Sequence, residues 1–180
     1  MTTNILPTHN GAVFNITLDP GYCFAMCLDM AKVLLTFQQQ GRPKRLPVKS
    51  DLEPGKWAIV QSAYEINSSS NDETLIEAQS MGIVSLIGLT DFKGNFTQVV
   101  NTITNIQGTT VFGIMGPDSG HELLWHRDDG NNIWFYLDPN DGLWQFNNLD
   151  QGINYMVADL QQHYSSLNEE FDAFTLKLAD

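Results

Sequence analysis

The stretch Gly120-His121-Glu122-Leu123-Leu124-Trp125-His126-Arg127-Asp128-Asp129-Gly130-Asn131-Asn132-Ile133-Trp134-Phe135-Tyr136-Leu137-Asp138 decides how this chain is to be read. Two apolar runs flank Asp129-Gly130, a dipeptide that favours a two-residue type I′ hairpin turn, because glycine takes the positive φ such a turn demands. With Asp129 and Gly130 as the loop, Asp128 faces Asn131, Trp125 faces Trp134, Leu123 faces Tyr136 and His121 faces Asp138. Directly opposed residues on one face of an antiparallel pair have Cβ atoms about 4.5 to 5.5 Å apart. The register therefore predicts an imidazole within hydrogen-bond reach of a carboxylate. Such a partner fixes a histidine's tautomer and stabilises its cationic form. Leu123, Trp125, Trp134 and Tyr136 read as the packed face of the sheet. His126, five residues from His121, points to the opposite face, so the two cannot ligate one metal ion.

Outward from the hairpin, strands are expected at Thr110 to Met115 and Leu143 to Phe146. Gly, Asp, Asn and Pro turns bound them, which favours an antiparallel meander. A helix over about Gly152 to Leu167 and a last strand, Ala173 to Leu178, follow. The first half reads differently. Residues 1–18 look irregular, with a possible short strand at Ala12 to Ile16, and Asp19-Pro20-Gly21 is a turn. From Tyr22 to about Gln38, Cys23, Cys27, Met30, Ala31 and Leu34 follow the spacing of one buried helical face. Gly41 to Gly55 is a loop, and Trp57 to Val60 fits either a strand or a short helix. Further helices are expected from Asn71 or Asp72 to Gly82, and from Asn95 to Ile106. Helices first and an antiparallel sheet afterwards define an α+β class, and the 180 residues suit a single domain spanning 1–180.

Nine basic residues against 21 acidic ones give a formal charge of −12, which argues against nucleic acid as a partner, since phosphate binding needs a basic face. Arg42, Lys44, Arg45 and Lys49 gather in one proline-containing segment that reads as a solvated loop. No run approaches the ~18 to 20 apolar residues of a membrane helix, so no membrane insertion is expected. Met1-Thr2-Thr3-Asn4-Ile5-Leu6-Pro7 lacks the features of a cleavable signal peptide. Cys23 and Cys27 are too close in a helical pattern to form a disulfide framework, which argues for free thiols. Asp138-Pro139-Asn140-Asp141-Gly142 lacks the acidic spacing of a calcium loop, and Leu149 stands where a closing Glu would be needed. No metal, no cofactor and no phosphate loop are expected.

Cys23 follows Pro20-Gly21-Tyr22 in the first turn of the expected helix. There the helix dipole and unpaired N–H groups favour thiolate over thiol. Cys27, a turn deeper, reads as a small core residue. Cys23, His121 and Asp138 are thus candidates for nucleophile, base and orienting group.

Gly21-Tyr22-Cys23-Phe24-Ala25-Met26, Gly120-His121-Glu122-Leu123-Leu124 and Phe135-Tyr136-Leu137-Asp138-Pro139-Asn140-Asp141-Gly142 resemble, in order, the three motifs of the YopT/AvrPphB-type cysteine proteases, papain-like bacterial effectors. Motif matches cover some twenty positions, and Asp-Pro-Asn-Asp-Gly is the most specific. The resemblance implies a papain-like fold with the nucleophile helix packed on the sheet. It also implies Cys23 as nucleophile, His121 as base and acid, and Asp138 as orienting residue. The implied reaction is hydrolysis of a peptide bond in a host protein through a thioester, by a monomer made in a bacterial cytoplasm and delivered to the host cytosol. Glu122 departs from the pattern, standing where a small residue is expected, and Cys27 stands where a serine is expected. A papain-like site also needs a second oxyanion donor, and Asn15 is the nearest amide before Cys23. Two other readings stay open. The same residues can deamidate a host glutamine, or Glu122 can block the cleft and leave a catalytically inactive binding module.

Overall fold

A computed structural model describes residues 2–8, 22–67 and 81–179. The strand expected at 12–16, Asn15, and nearly all of the helix expected before Gly82 lie outside the described residues. The described strands are β1 (Thr3–Pro7), β2 (Ile83–Phe92), β3 (Gly108–Met115), β4 (Gly120–Asp128), β5 (Ile133–Asp138), β6 (Gly142–Phe146) and β7 (Glu170–Leu178). The described helices are α1 (Cys23–Gln39), α2 (Trp57–Asn67), α3 (Phe96–Thr104) and α4 (Leu149–His163), with short 3-10 turns at Lys49–Asp51 and Pro54–Lys56.

The strands form one antiparallel sheet in the order β1-β6-β5-β4-β3-β7-β2. The expected meander is its centre, β3 to β6. Its flanks correct the reading of helices first and sheet afterwards. Thr3–Pro7, expected to be irregular, pairs with β6, and β2 pairs with β7, so the first half of the chain supplies both edges. Thr3–Pro7 carries no clear strand pattern of its own, whereas the apolar, β-branched run Ile83 to Leu89 after Gly82 has the composition of a strand.

Side chains alternate across the sheet and build two cores. On one face α1 packs on Val111, Leu124, Phe135, Leu137, Phe174 and Leu176. On the other, α3 and α4 pack on Phe112, Leu123, Trp125, Tyr136, Phe146 and Phe171. The expected face of Leu123, Trp125, Trp134 and Tyr136 belongs wholly to this second core. Each fully buried side chain of this size contributes about 1.5 to 3 kcal/mol. Because α1 is covered by the sheet on one side and by α2 on another, residues well beyond a single stripe are buried, from Phe24 through Ala31.

Local chemistry explains where the helices start. Asn95 and Gln98 cap α3 reciprocally, each side chain 3.0 Å from the other residue's backbone N. Asn148 accepts a hydrogen bond from Gln151 N at the start of α4. Trp57 opens a helix rather than a strand. Its indole Nε1 donates to the buried carboxylate of Asp29 at 2.8 Å, which ties α2 to α1.

Candidate active site

The β4–β5 hairpin positions two of the three candidate residues, in a register that differs from expectation by two positions. Leu124 pairs with Leu137, Trp125 with Tyr136 and Asp128 with Ile133. The connection is Asp129-Gly130-Asn131-Asn132, not a two-residue turn. The cause lies in the side chains. Asp128 accepts from Asn131 N at 3.1 Å and Asn131 Nδ2 at 2.8 Å, and its carbonyl accepts from Asn131 N at 3.3 Å, closing a turn over 128–131. Asp129 is drawn aside by Arg127, 2.6 Å from Nη2. Asn132, at φ 55°, takes the left-handed position expected of Gly130. His121 is therefore diagonal to Asp138 rather than opposite it. A two-residue shift preserves the face on which each side chain lies, whereas a one-residue shift would have separated them.

The contact survives. His121 Nε2 lies 2.9 Å from Asp138 Oδ1, and both side chains are buried. The turn after β5 holds the carboxylate still. Asn140 N donates to Asp138 Oδ1 at 2.8 Å, and Asp141 N to Asp138 O at 3.0 Å. Gly142 closes the turn at φ 149°, with the side chain of Asn4 and the carbonyl of Leu6 where a Cβ would stand. This is why the fifth residue of Asp-Pro-Asn-Asp-Gly must be glycine. Thr8, just past β1, donates to the carbonyls of Asp138 and Pro139.

Cys23 is the first residue of α1, next to the half-exposed Tyr22, and is itself only partly covered. No carboxylate stands in the first turn to offset the positive end of the helix dipole. Its thiol interacts with the His121 imidazole, and the backbone N–H groups of Glu122 and Phe24 also bear on the sulfur. Burial disfavours a thiolate, but the imidazole and these donors outweigh it, and the thiol pKa is lowered. For His121 burial again opposes charge. Asp138 and Cys23 overcome it, raising the pKa to about 9. Asp138 is held ionised against its burial by His121, Tyr164 and Asn140 N. The arrangement can therefore hold a thiolate beside an imidazolium.

Cys27 behaves oppositely. It is fully buried, its Sγ 3.4 Å from Glu122 O, and its pKa is pushed well up by burial and then by Cys23, Glu122 and Asp138. Glu122 is buried, with Oε1 2.8 Å from the point where a Gly113 Cβ would stand and Asp172 on the other side of that point. His126 lies across the sheet from His121, bonded to Thr109 Oγ1 at 2.8 Å. Among the described residues no group of three or more His, Cys, Asp or Glu is arranged to hold a metal ion, and no helix is long and apolar enough to cross a membrane.

Two further residues touch the site. Tyr164 Oη donates to Asp138 Oδ2 at 2.7 Å, and its ring stacks on the imidazole with centroids 4.8 Å apart at 15°. Asn140 Nδ2 donates to Tyr164 Oη at 2.9 Å. Asn140 lies in the motif, but nothing in the sequence marks Tyr164. It stands at the end of α4 and reaches the site only through the packing of that helix on the sheet.

A helix that carries a cysteine at its first position, laid across an antiparallel sheet that presents His and Asp, defines a papain-like α+β fold. Among solved structures, the chain is similar to the Pseudomonas avirulence protein AvrPphB, with a TM-score of 0.57 at 9% identity over 86% of this chain and 92% of that one. It is also similar to PatoxP, a cysteine protease-like domain of the Photorhabdus asymbiotica toxin PaTox. There the TM-score is 0.55 at 12% identity, over 97% of this chain and 53% of that chain. No protein-family model matches the chain, and no curated protein matches it by sequence.

Proposed function

We propose that the protein is a cysteine hydrolase of the effector or toxin kind, cleaving a peptide bond in a host protein with Cys23, His121 and Asp138. One observation carries the reading: a thiol at a helix N-terminus meets an imidazole whose Nε2 lies 2.9 Å from a buried carboxylate. The Cys23 thiolate attacks the carbonyl carbon, and the carbonyl π electrons move to oxygen. The Cys23 backbone N–H at the start of α1 is suited to meet that oxyanion. As the C–N bond breaks, His121 gives its proton to the departing amine and a thioester remains. His121 then takes a proton from water, and the hydroxide displaces the thiolate as a carboxylic acid is released. Asp138 stays ionised throughout and orients the ring. Asn15 is retained as the candidate second oxyanion donor.

The kinds of protein that share the fold, an avirulence protein and a toxin domain, support a host protein as substrate; delivery from a bacterium to the host cytosol is part of the same proposal. The decisive test compares host-cell lysate treated with the wild-type protein and with Cys23→Ala, by mass spectrometry of protein termini and side chains. New N-termini that need Cys23 support the protease. Glutamines converted to glutamates would reassign the same residues to deamidation. No difference between the two proteins would leave a binding module. Glu122 bears on that last reading, because its carboxylate lies beside Gly113 and Asp172, on the Cys27 side of the site.

A further inference from the structure

Tyr164 closes α4, its N–H donating to Leu160 O at 3.0 Å, and its side chain is buried against the site. Each polar atom around it has a defined task. Asp138 Oδ1 accepts from His121 Nε2 and Asn140 N, and Oδ2 accepts from Tyr164 Oη. The phenol oxygen in turn accepts from Asn140 Nδ2, so its own proton is committed to Asp138. The carboxylate is thereby gripped from both sides and cannot rotate away from the imidazole. Charge-assisted hydrogen bonds of this kind are about twice as strong as neutral ones. The ring lies nearly parallel to the imidazole and covers one of its faces against water.

We propose that Tyr164 is a positioning residue of this site: its hydroxyl holds Asp138 ionised and facing His121, and its ring shields the His121–Asp138 hydrogen bond. The proposal rests on the reading of Cys23 and His121 as a reactive pair. The phenol is suited to the task, because burial and the neighbouring Asp138 raise its pKa and keep it a donor.

The groups facing Asp138 fix the expected pH behaviour. They are His121 on β4, with Cys23 on its other side, Cys27 on α1, Tyr136 on β5, Tyr155 and Asp159 on α4, and Tyr164 itself, with His163 bound to Asp159 at 2.9 Å. Of these, Tyr164 is the one whose hydroxyl donates to Oδ2. Tyr164→Phe keeps the stack and removes the donor. A buried carboxylate that loses such a bond protonates at higher pH, and a neutral Asp138 no longer supports the imidazolium.

The test follows alkylation of Cys23 by iodoacetamide across pH in the full chain, with the melting temperature as a check on folding. In Tyr164→Phe the acid limb of the rate profile should move up by about one pH unit, the scale of one charge-assisted hydrogen bond. 3-Fluorotyrosine at position 164, which keeps both the stack and the length and is a stronger hydrogen-bond donor, should leave that limb at or below its wild-type position. Superimposable profiles for the wild type and a folded Tyr164→Phe would overturn the proposal and leave the hydrolase reading standing. So would Phe and fluorotyrosine proteins whose acid limbs move up alike, since only one of them has lost the donor. Should Tyr164→Phe fail to fold, the fluorotyrosine protein decides against the wild type, an acid limb moved up refuting the donor role. A wild-type Cys23 that titrates as an ordinary thiol would overturn the hydrolase reading, and this proposal with it.

Discussion

Cys23 and Cys27 stand one helical turn apart on α1, yet their surroundings drive the two thiols in opposite directions. Helix N-terminus, imidazole and backbone donors lower Cys23, while burial and nearby negative charge raise Cys27. Iodoacetamide at pH 6 should therefore modify Cys23 and leave Cys27 untouched until the domain unfolds, as read by peptide mass mapping. His121→Ala should abolish most of that reactivity, since an imidazolium is a main cause of lowered thiol pKa values. The proposed hydrolysis needs the thiolate and the imidazolium together. Activity should rise through the lowered thiol pKa and fall as pH passes about 9, where His121 loses the proton it must donate. Asp138→Asn removes the charge that raises His121, so the alkaline limb should move down by a unit or more, toward the ordinary histidine value. A limb unmoved near pH 9 would show that Asp138 does not set the titration of His121.

At the scale of elements, α4 approaches the sheet closely because position 152 is glycine. A Cβ there would stand 2.7 Å from Trp125 Cη2 and 3.3 Å from Phe146 Cδ2, both in the rigid second core. Alanine favours a helix over glycine by about 1 kcal/mol, but overpacking of this kind costs about 1 to 3 kcal/mol. Gly152→Ala should thus destabilise the protein on balance, measured as a lower denaturation midpoint. It should also slow Cys23 alkylation, because α4 carries Tyr164 to the site. On β4, the buried His126 titrates at about 4 instead of 6.5. The unfolded chain then binds more protons than the folded one between those values, so stability falls as pH drops from 6.5 to 4. The depressed pKa corresponds to about 3 kcal/mol lost by pH 4. His126→Gln should flatten that part of the stability profile, as measured by urea denaturation at successive pH values.

For the molecule as a whole, the sheet is completed by strands distant in sequence, and β1 fastens the turn that carries Asp138. Leu6 enters the α1 core, and Asn4 and Thr8 donate to carbonyls of Asp141, Asp138 and Pro139. Deleting residues 1–8 should cost at least about 2 kcal/mol, for one buried leucine and several hydrogen bonds. It should also slow Cys23 alkylation at pH 6 as the turn slackens; unchanged kinetics would separate β1 from the site. The sequence alone determined much of the centre of this fold. The i, i+4, i+7 spacing from Cys23 forces a buried helix with the thiol at its start. Period-two alternation forces Leu123, Trp125, Trp134 and Tyr136 onto one face. Parity brings His121 and Asp138 to that face for the two-residue turn and for the four-residue one alike. Only the tertiary structure decided the rest. The turn length depended on Asp128 and Asp129 finding their partners, and the edges β1 and β2 depended on strands far along the chain. Tyr164 reaches Asp138 across 26 residues because α4 packs on the second core. Local periodicity fixes the face on which a side chain lies, whereas the residue it meets there depends on contacts between segments that no local pattern records.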